Sequence, residues 1–288
     1  MPDNVRRLAA AGFDMAQVAK LMTDGYTPAG ITGAIANGFS AALKRMYGGK
    51  AINVALPEPT VVTVTGDDTR LAVFSFDPEN LPNFPLTVGE MDADIVNATQ
   101  GTSIYNVGTY YDFSPIGPVG RDFADMTLLI SSQAKSRVSG SKGAGFHNTW
   151  LPRVQMTYLG RNYEERGAAT FTWQVQVDTF DTFPWGGLIG NNAFGKDEAV
   201  MFEWFTNKRP QVLVIKDNTS TNSYQMPSVP WTDGNGNIRF IAWRNGVIVG
   251  NTGSTGAVAV AADKTVTLGA DLTGRVAGDT IFIFAEVA

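Results

Sequence analysis

The chain has 288 residues, 44% hydrophobic and 17% charged, with a formal net charge of −5, no Cys and a single His. That apolar share supports a proper core and argues against disorder, while the low charge leaves much of the surface to Thr, Ser, Asn, Gln and Gly. The negative balance argues against a general nucleic-acid binder, which needs cations to replace phosphate counterions. The lack of Cys removes any disulfide framework and, with one His, any structural zinc site.

Taken in chain order, residues 3–47 are predicted as two helices. Leu8, Met15, Val18, Ala19 and Met22 fall near one helical face, and Gly25 ends the run. Thr27-Pro28 restarts it as N-cap and first helical position, and Ile31, Ile35, Phe39, Leu43 and Met46 continue at spacings of three and four. Read as a helix-turn-helix, the second helix would present Thr32, Asn37 and Ser40, with Lys44 and Arg45 at its end. That is poor equipment for a DNA groove, and a packing or docking hairpin is the better reading. The apolar stretch 8–11 is too short for the core of a signal peptide. No run approaches the roughly 18 apolar residues of a membrane span, so synthesis and folding in the cytoplasm are expected.

Beyond Pro57 and Pro59 the period changes to two. Residues 60–65 and 71–76 flank Gly66-Asp67-Asp68 as a hairpin. Residues 77–125, rich in Pro, Gly and Asn, read as a long excursion or several brief strands. A strand is expected over 126–131, then a Gly/Ser-rich loop over 132–148 that is locally basic through Lys135, Arg137 and Lys142 and carries His147. Loops of that length are usually functional or disordered. Two long strands follow, 151–159 and 168–180, around 160–167. In the second, Phe171, Trp173, Val175 and Val177 point one way, while Thr170, Thr172, Gln174, Gln176 and Asp178 point the other. Residues 197–207 suit a short helix, with a strand as the alternative, and 211–215 a strand. Strands at 238–243, 247–250, 257–261, 265–268 and 280–287, with Asn245-Gly246 as a hairpin turn, give the pattern of a small sandwich. The division expected is 1–50, 51–207 and 208–288.

The catalytic toolkit is sparse. His147 is the one conventional base near neutral pH, and no Gly-x-Ser-x-Gly elbow accompanies it. Glu90, Asp92 and Asp94 alternate and would share a face if they lay on a strand. They could then hold a divalent cation or act as a glycosidase pair, but a solvated acidic rim is the better reading. Asp233-Gly-Asn-Gly-Asn237 begins like a calcium loop, but Ile238 stands where Gly is needed and Arg244 where the bidentate acid belongs. It reads as a tight turn. Neither Gly250-x-x-Gly253-x-x-Gly256 nor Gly143-x-Gly145 sits between a strand and a helix, so no dinucleotide site follows, and no phosphate loop occurs. Trp150, Trp173, Trp185, Trp204, Trp231 and Trp243 could offer sugar-stacking platforms, though core packing explains them better. No enzymatic activity, cofactor or metal is expected.

From about residue 126 onward the order of loop 132–148, strands 151–159 and 168–180, and the β-rich segment from about 210 resembles the tail tube proteins of tailed bacteriophages. The resemblance implies a mainly β fold: a β-sandwich that forms rings, here with an N-terminal helical pair added, and an immunoglobulin-like C-terminal β-sandwich. It implies a structural virion protein whose stacked homo-oligomeric rings conduct DNA without binding it specifically. The partners would be further copies and other tail proteins, assembled in the host cytoplasm, with no membrane. In that plan Lys135, Arg137, Lys142 and His147 belong to an inter-subunit loop. Gln174, Gln176 and Asp178 line the lumen, and Glu90, Asp92 and Asp94 form an acidic rim facing the next ring. A capsid decoration or head–tail component is the alternative. A carbohydrate-binding or hydrolytic β-protein is a further one.

Overall fold

The computed structural model describes residues 8–31, 35–54, 60–66, 69–76, 81–101, 104–107, 110–113, 123–136, 145–163, 169–180, 198–199, 201–245, 247–251, 257–269, 272 and 274–288. These residues are mainly β, with one α-helix among them. The first element is a strand, β1 (Leu8–Lys20), followed by β2 (Ser40–Ala42), β3 (Lys44–Met46) and β4 (Gly49–Ile52). The helical pair expected over 3–47 is therefore corrected. From Met15 to Ala19 every residue of β1 is buried, because both of its faces are covered. Two-sided burial erases the period-two signal, and an Ala-rich run then passes for a helix. Further on, Gly30 and Gly38 hold φ of 84° and 87°, which no right-handed helix contains.

The hairpin predicted around Gly66 is present as β5 (Thr60–Gly66) and β6 (Thr69–Phe76). The unassigned stretch holds β7 (Asn83–Val88), α1 (Ala93–Gln100), β8 (Ile104–Val107) and β9 (Tyr110–Phe113). Asp92 caps α1 through its side chain, and Gly101 ends it at φ 60°. Next come β10 (Asp125–Ser136) and β11 (Gly145–Asn162). The loop expected over 132–148 is corrected at both ends. Ser132 pairs with His147 and Gln133 with Phe146, so backbone hydrogen bonding extends both strands into the Gly/Ser-rich sequence. β12 (Thr170–Val177) alternates as predicted, with Phe171, Trp173, Val175 and Val177 buried. Then follow β13 (Thr179–Phe180), β14 (Glu198–Ala199) and β15 (Phe202–Thr206), the strand alternative for 197–207. The predicted C-terminal strands are present within β16 (Pro210–Lys216), β17 (Ser223–Gln225), β18 (Phe240–Arg244), β19 (Val247–Asn251), β20 (Val258–Val260), β21 (Thr265–Leu268) and β22 (Thr280–Glu286).

The first sheet has eight strands in the order β3-β1-β10-β11-β12-β7-β4, with β15 alongside β11. Its ends return toward each other: Phe13 of β1 lies against Gly49 of β4, where a Cβ would meet the ring at 2.6 Å. The curled inner face holds one core, with Val18, Leu86, Leu128, Val154, Met156 and Trp173 packed against Ile95 and Val96 of α1. A second sheet, β19-β18-β22-β16-β2, faces a three-stranded sheet, β17-β21-β20, across another core built on Ile215, Val266, Ile281 and Ile283. Between the two larger sheets lies an aromatic core of Trp150, Phe202, Trp243, Phe282 and Phe284. Every residue of β22 is buried, since it sends Ile281 and Ile283 into one core and Phe282 and Phe284 into the other.

Residues 40–52 tie the sheets together, because β2 joins the second sheet while β3 and β4 join the first. Gln17 of β1 adds a buried hydrogen bond from Nε2 to the Pro210 carbonyl at 2.9 Å. A buried polar chain runs beside it: Ser131 Oγ donates to Asn148 Oδ1 at 2.8 Å, and Asn148 Nδ2 to Thr206 Oγ1 at 2.9 Å. Thr206 then donates to the Lys208 carbonyl at 2.6 Å, so the series leaves no member without a partner.

Candidate functional site

The outer face of the curled sheet is divided. Over β1, β10 and the first part of β11 it is covered by the second sheet. Over the rest of β11, β12 and β7 the residues directed to it are exposed or half-buried. Register fixes what stands there. Gln174 lies opposite Thr157 on one side and Pro85 on the other, Gln176 opposite Gln155 and Asn83, and Thr172 opposite Thr87. Paired residues project to the same side of a sheet, so these eight form one continuous surface. Asn83, Pro85 and Gln176 are exposed, the other five half-buried. None of the eight ionises. The surface is laced internally: Thr87 and Thr172 hydroxyls stand 3.2 Å apart, and Gln174 Nε2 donates to Asn83 Oδ1.

Charge begins at the rim of this surface, where one guanidinium meets two carboxylates. Asp178 follows β12, and its carboxylate lies 3.3 Å from Arg153 Nε, while Arg153 Nη2 donates to Asp125 at 2.9 Å. Arg153 Nη1 also donates to the Thr179 carbonyl at 2.8 Å. Asp178 is thus part of a local ion-pair cluster at the edge of this face, and the face itself is neutral. Of the three lumen candidates, Gln174 and Gln176 stand side by side within it and Asp178 at its rim.

The acidic trio is placed differently from the strand arrangement considered above. Asp92 and Asp94 sit at the start of α1, where Asp92 Oδ1 accepts from the Asp94 N–H at 2.9 Å and the Ile95 N–H at 3.4 Å. Both carboxylates engage Lys44 Nζ, Asp92 at 2.9 Å. Partial burial would lower the Lys44 pKa, but the bonds to Asp94 and Asp92 outweigh it and hold it above the ordinary 10.5. Glu90 is exposed nearby. The residue type that fits the negative end of a capping interaction decides the local geometry here, because carboxylates suit a helix N-terminus.

Lys135 falls in β10, with its backbone opposite Ala9. Arg137 and Lys142 lie outside the described residues. His147 lies in β11, its ring 4.9 Å from Phe205 and its Nε2 3.8 Å from Glu203. The turn at 233–237 is tight as expected, with Asp233 Oδ1 accepting from the Asn235 and Asn237 N–H groups at 2.9 Å. Trp173 and Trp243 are core residues, and Trp150 is 3% exposed, which removes all three from any exposed sugar platform.

Sequence reasoning missed Asn83, Thr87, Gln155 and Thr157. The signal was present in the alternation of Phe84, Leu86 and Val88, but Pro85 in a strand interior argues against a strand. No protein-family model matches the chain, and no curated protein matches it.

Proposed function

We propose that this protein is a structural virion component, a tail tube subunit whose copies close into rings and stack. The observation that carries the reading is the neutral amide and hydroxyl surface around Gln174 and Gln176 on a curled sheet. A channel for DNA must attract it weakly. Cations would bind phosphate by releasing counterions, and a dense row of carboxylates would repel it. Gln, Asn and Thr do neither. The overall charge of −5 works in the same direction. The β10–β11 hairpin supplies an arm for a neighbouring copy, and the C-terminal sheets, in the immunoglobulin-like role, belong on the outside. In this scheme Glu90, Asp92 and Asp94 form the acidic rim, with Lys44 paired to Asp92 and Asp94 within the chain.

Electron microscopy of the purified protein at rising concentration tests this. Rings or hollow tubes are expected. Particles that remain monomeric at every concentration, or that decorate a capsid lattice without forming tubes, overturn it. Within tubes, Gln174→Lys is expected to leave assembly intact and to slow DNA passage, measured as retained DNA after triggered ejection.

A further inference from the structure

The short strand β3 lies at an edge of the first sheet. β1 pairs with it on one side, Val18 opposite Lys44 and Ala16 opposite Met46, and among the described residues no strand pairs with it on the other. A groove of about 420 Å³ runs along that free edge. Residues 43–47 all line it, and alternation sends Arg45 and Met46 to opposite faces of the sheet, so the groove follows the edge of the strand and not one of its faces. The edge is free because β7 stops short of it. β7 pairs with β4 up to Val88, and the Gly89 N–H still donates to the Gly48 carbonyl at 2.7 Å. The chain then turns into α1 at Asp92, and the line that β7 would have continued along β3 is left to the groove.

The two walls differ in charge. Glu90 and Asp92 stand on the α1 side. Asp92 is bound to Lys44 at 2.9 Å, while Glu90 is exposed and makes no ion pair among the described residues. On the other side Arg45 meets Pro227 and Ser228, and its Nη2 donates to Ser228 Oγ at 3.1 Å. We propose that this groove binds an extended segment of a second protein, which adds to β3 as a strand. An edge strand offers a row of unpaired N–H and C=O groups, and strand addition satisfies them through the partner's main chain. The walls then select the side chains. Adjacent residues of a strand point to opposite faces, so a basic residue directed at Glu90 has an acidic neighbour directed at Arg45. The volume of about 420 Å³ falls within the roughly 300–1,000 Å³ common to binding sites. The groove uses Glu90 of the acidic rim but needs only a single chain, so it stands or falls separately from the ring reading.

The test is fluorescence anisotropy with the native protein and a labelled, end-blocked peptide, Thr-Val-Lys-Glu-Val-Thr. Saturable binding of one peptide per chain is expected. Only alternate residues of an added strand turn their N–H groups toward β3. Of two peptides N-methylated at alternate sets of residues, one is therefore expected to lose binding and the other to keep it. Glu90→Gln alters an exposed side chain and is expected to weaken the peptide about twofold to fivefold, with no effect on a peptide carrying Gln in place of Lys. No binding of the unmodified peptide at millimolar concentration overturns the site. Equal binding by the two methylated peptides overturns strand addition, and an equal response of the Lys and Gln peptides to Glu90→Gln overturns the charge assignment.

Discussion

Asp217 and Arg275 show how few charges this protein buries and how fully it satisfies them. Asp217 is 0% exposed, and its two oxygens accept from Arg275 Nε and Nη2, each at 2.6 Å. Burial alone would raise its pKa, but the bonds from Arg275 and the Thr219 N–H outweigh it and hold the carboxyl below 3.8. Removing one partner strands the other charge, so Arg275→Ala is expected to lose about 3–5 kcal/mol in urea unfolding. Because the folded pKa is depressed, the pair's contribution is complete above the unfolded value and is lost as the pH falls through the folded one. Glu286 has the opposite sign. It is 6% exposed, and burial raises its pKa above 4.5 despite the Asn207 and Lys208 N–H groups. Its contribution is present in acid and lost as the pH rises through the folded value. Glu286→Gln keeps an acceptor for the Lys208 N–H, so it is expected to be more stable than the native protein at pH 7. That advantage shrinks toward pH 4, and urea melts at the two pH values measure it.

At the scale of elements, the informative case is the segment 8–46, where a helical pattern folds as strands. Its geometry depends on Gly38, whose φ is 87° and whose Cβ, if present, would lie 2.2 Å from Asn218 Nδ2. The Gly38 N–H also donates to the Lys216 carbonyl at 2.6 Å, seating β2 beside β16. Gly38→Ala is therefore expected to cost about 1–3 kcal/mol, read by denaturant unfolding. An unchanged midpoint would contradict the strand arrangement at this joint. Such a residue marks the limit of what the sequence makes legible. Where one face meets solvent, as in β12 with Thr172, Gln174 and Gln176, alternation exposes strand and face together. Where both faces are covered, as in β1, the pattern vanishes and local propensity points the wrong way, because tertiary pairing outweighs it. Cross-strand neighbours such as Thr157 beside Gln174 are a matter of register, which no local pattern encodes. The short helix α1 was legible in principle from Asp92 and Gly101, but eight residues give too little periodicity to stand out.

For the molecule as a whole, three sheets share cores in series, and the aromatic core between the two larger ones binds the N-terminal and C-terminal parts of the chain into one unit. Phe282 touches both Trp150 and Trp243, at 5.2 and 5.8 Å between rings. Phe282→Ala is expected to lose about 3–5 kcal/mol. Near-ultraviolet and far-ultraviolet circular dichroism are expected to report the loss as a single coincident transition. Two separated transitions would show that the sheets fold independently. The shared core fixes the Gln174 face relative to the second sheet, as the proposed ring subunit would require.

That face is also where the account can be tested most directly, because the chain contains no Cys and Gln176→Cys introduces a unique thiol. Labelling assembled Gln176→Cys protein with a maleimide gold cluster and viewing it by electron microscopy locates the residue. The account requires hollow tubes with gold in a file along the axis. Gold on the outer surface of tubes, or labelled protein that never assembles while the unlabelled native chain also stays monomeric, would contradict it.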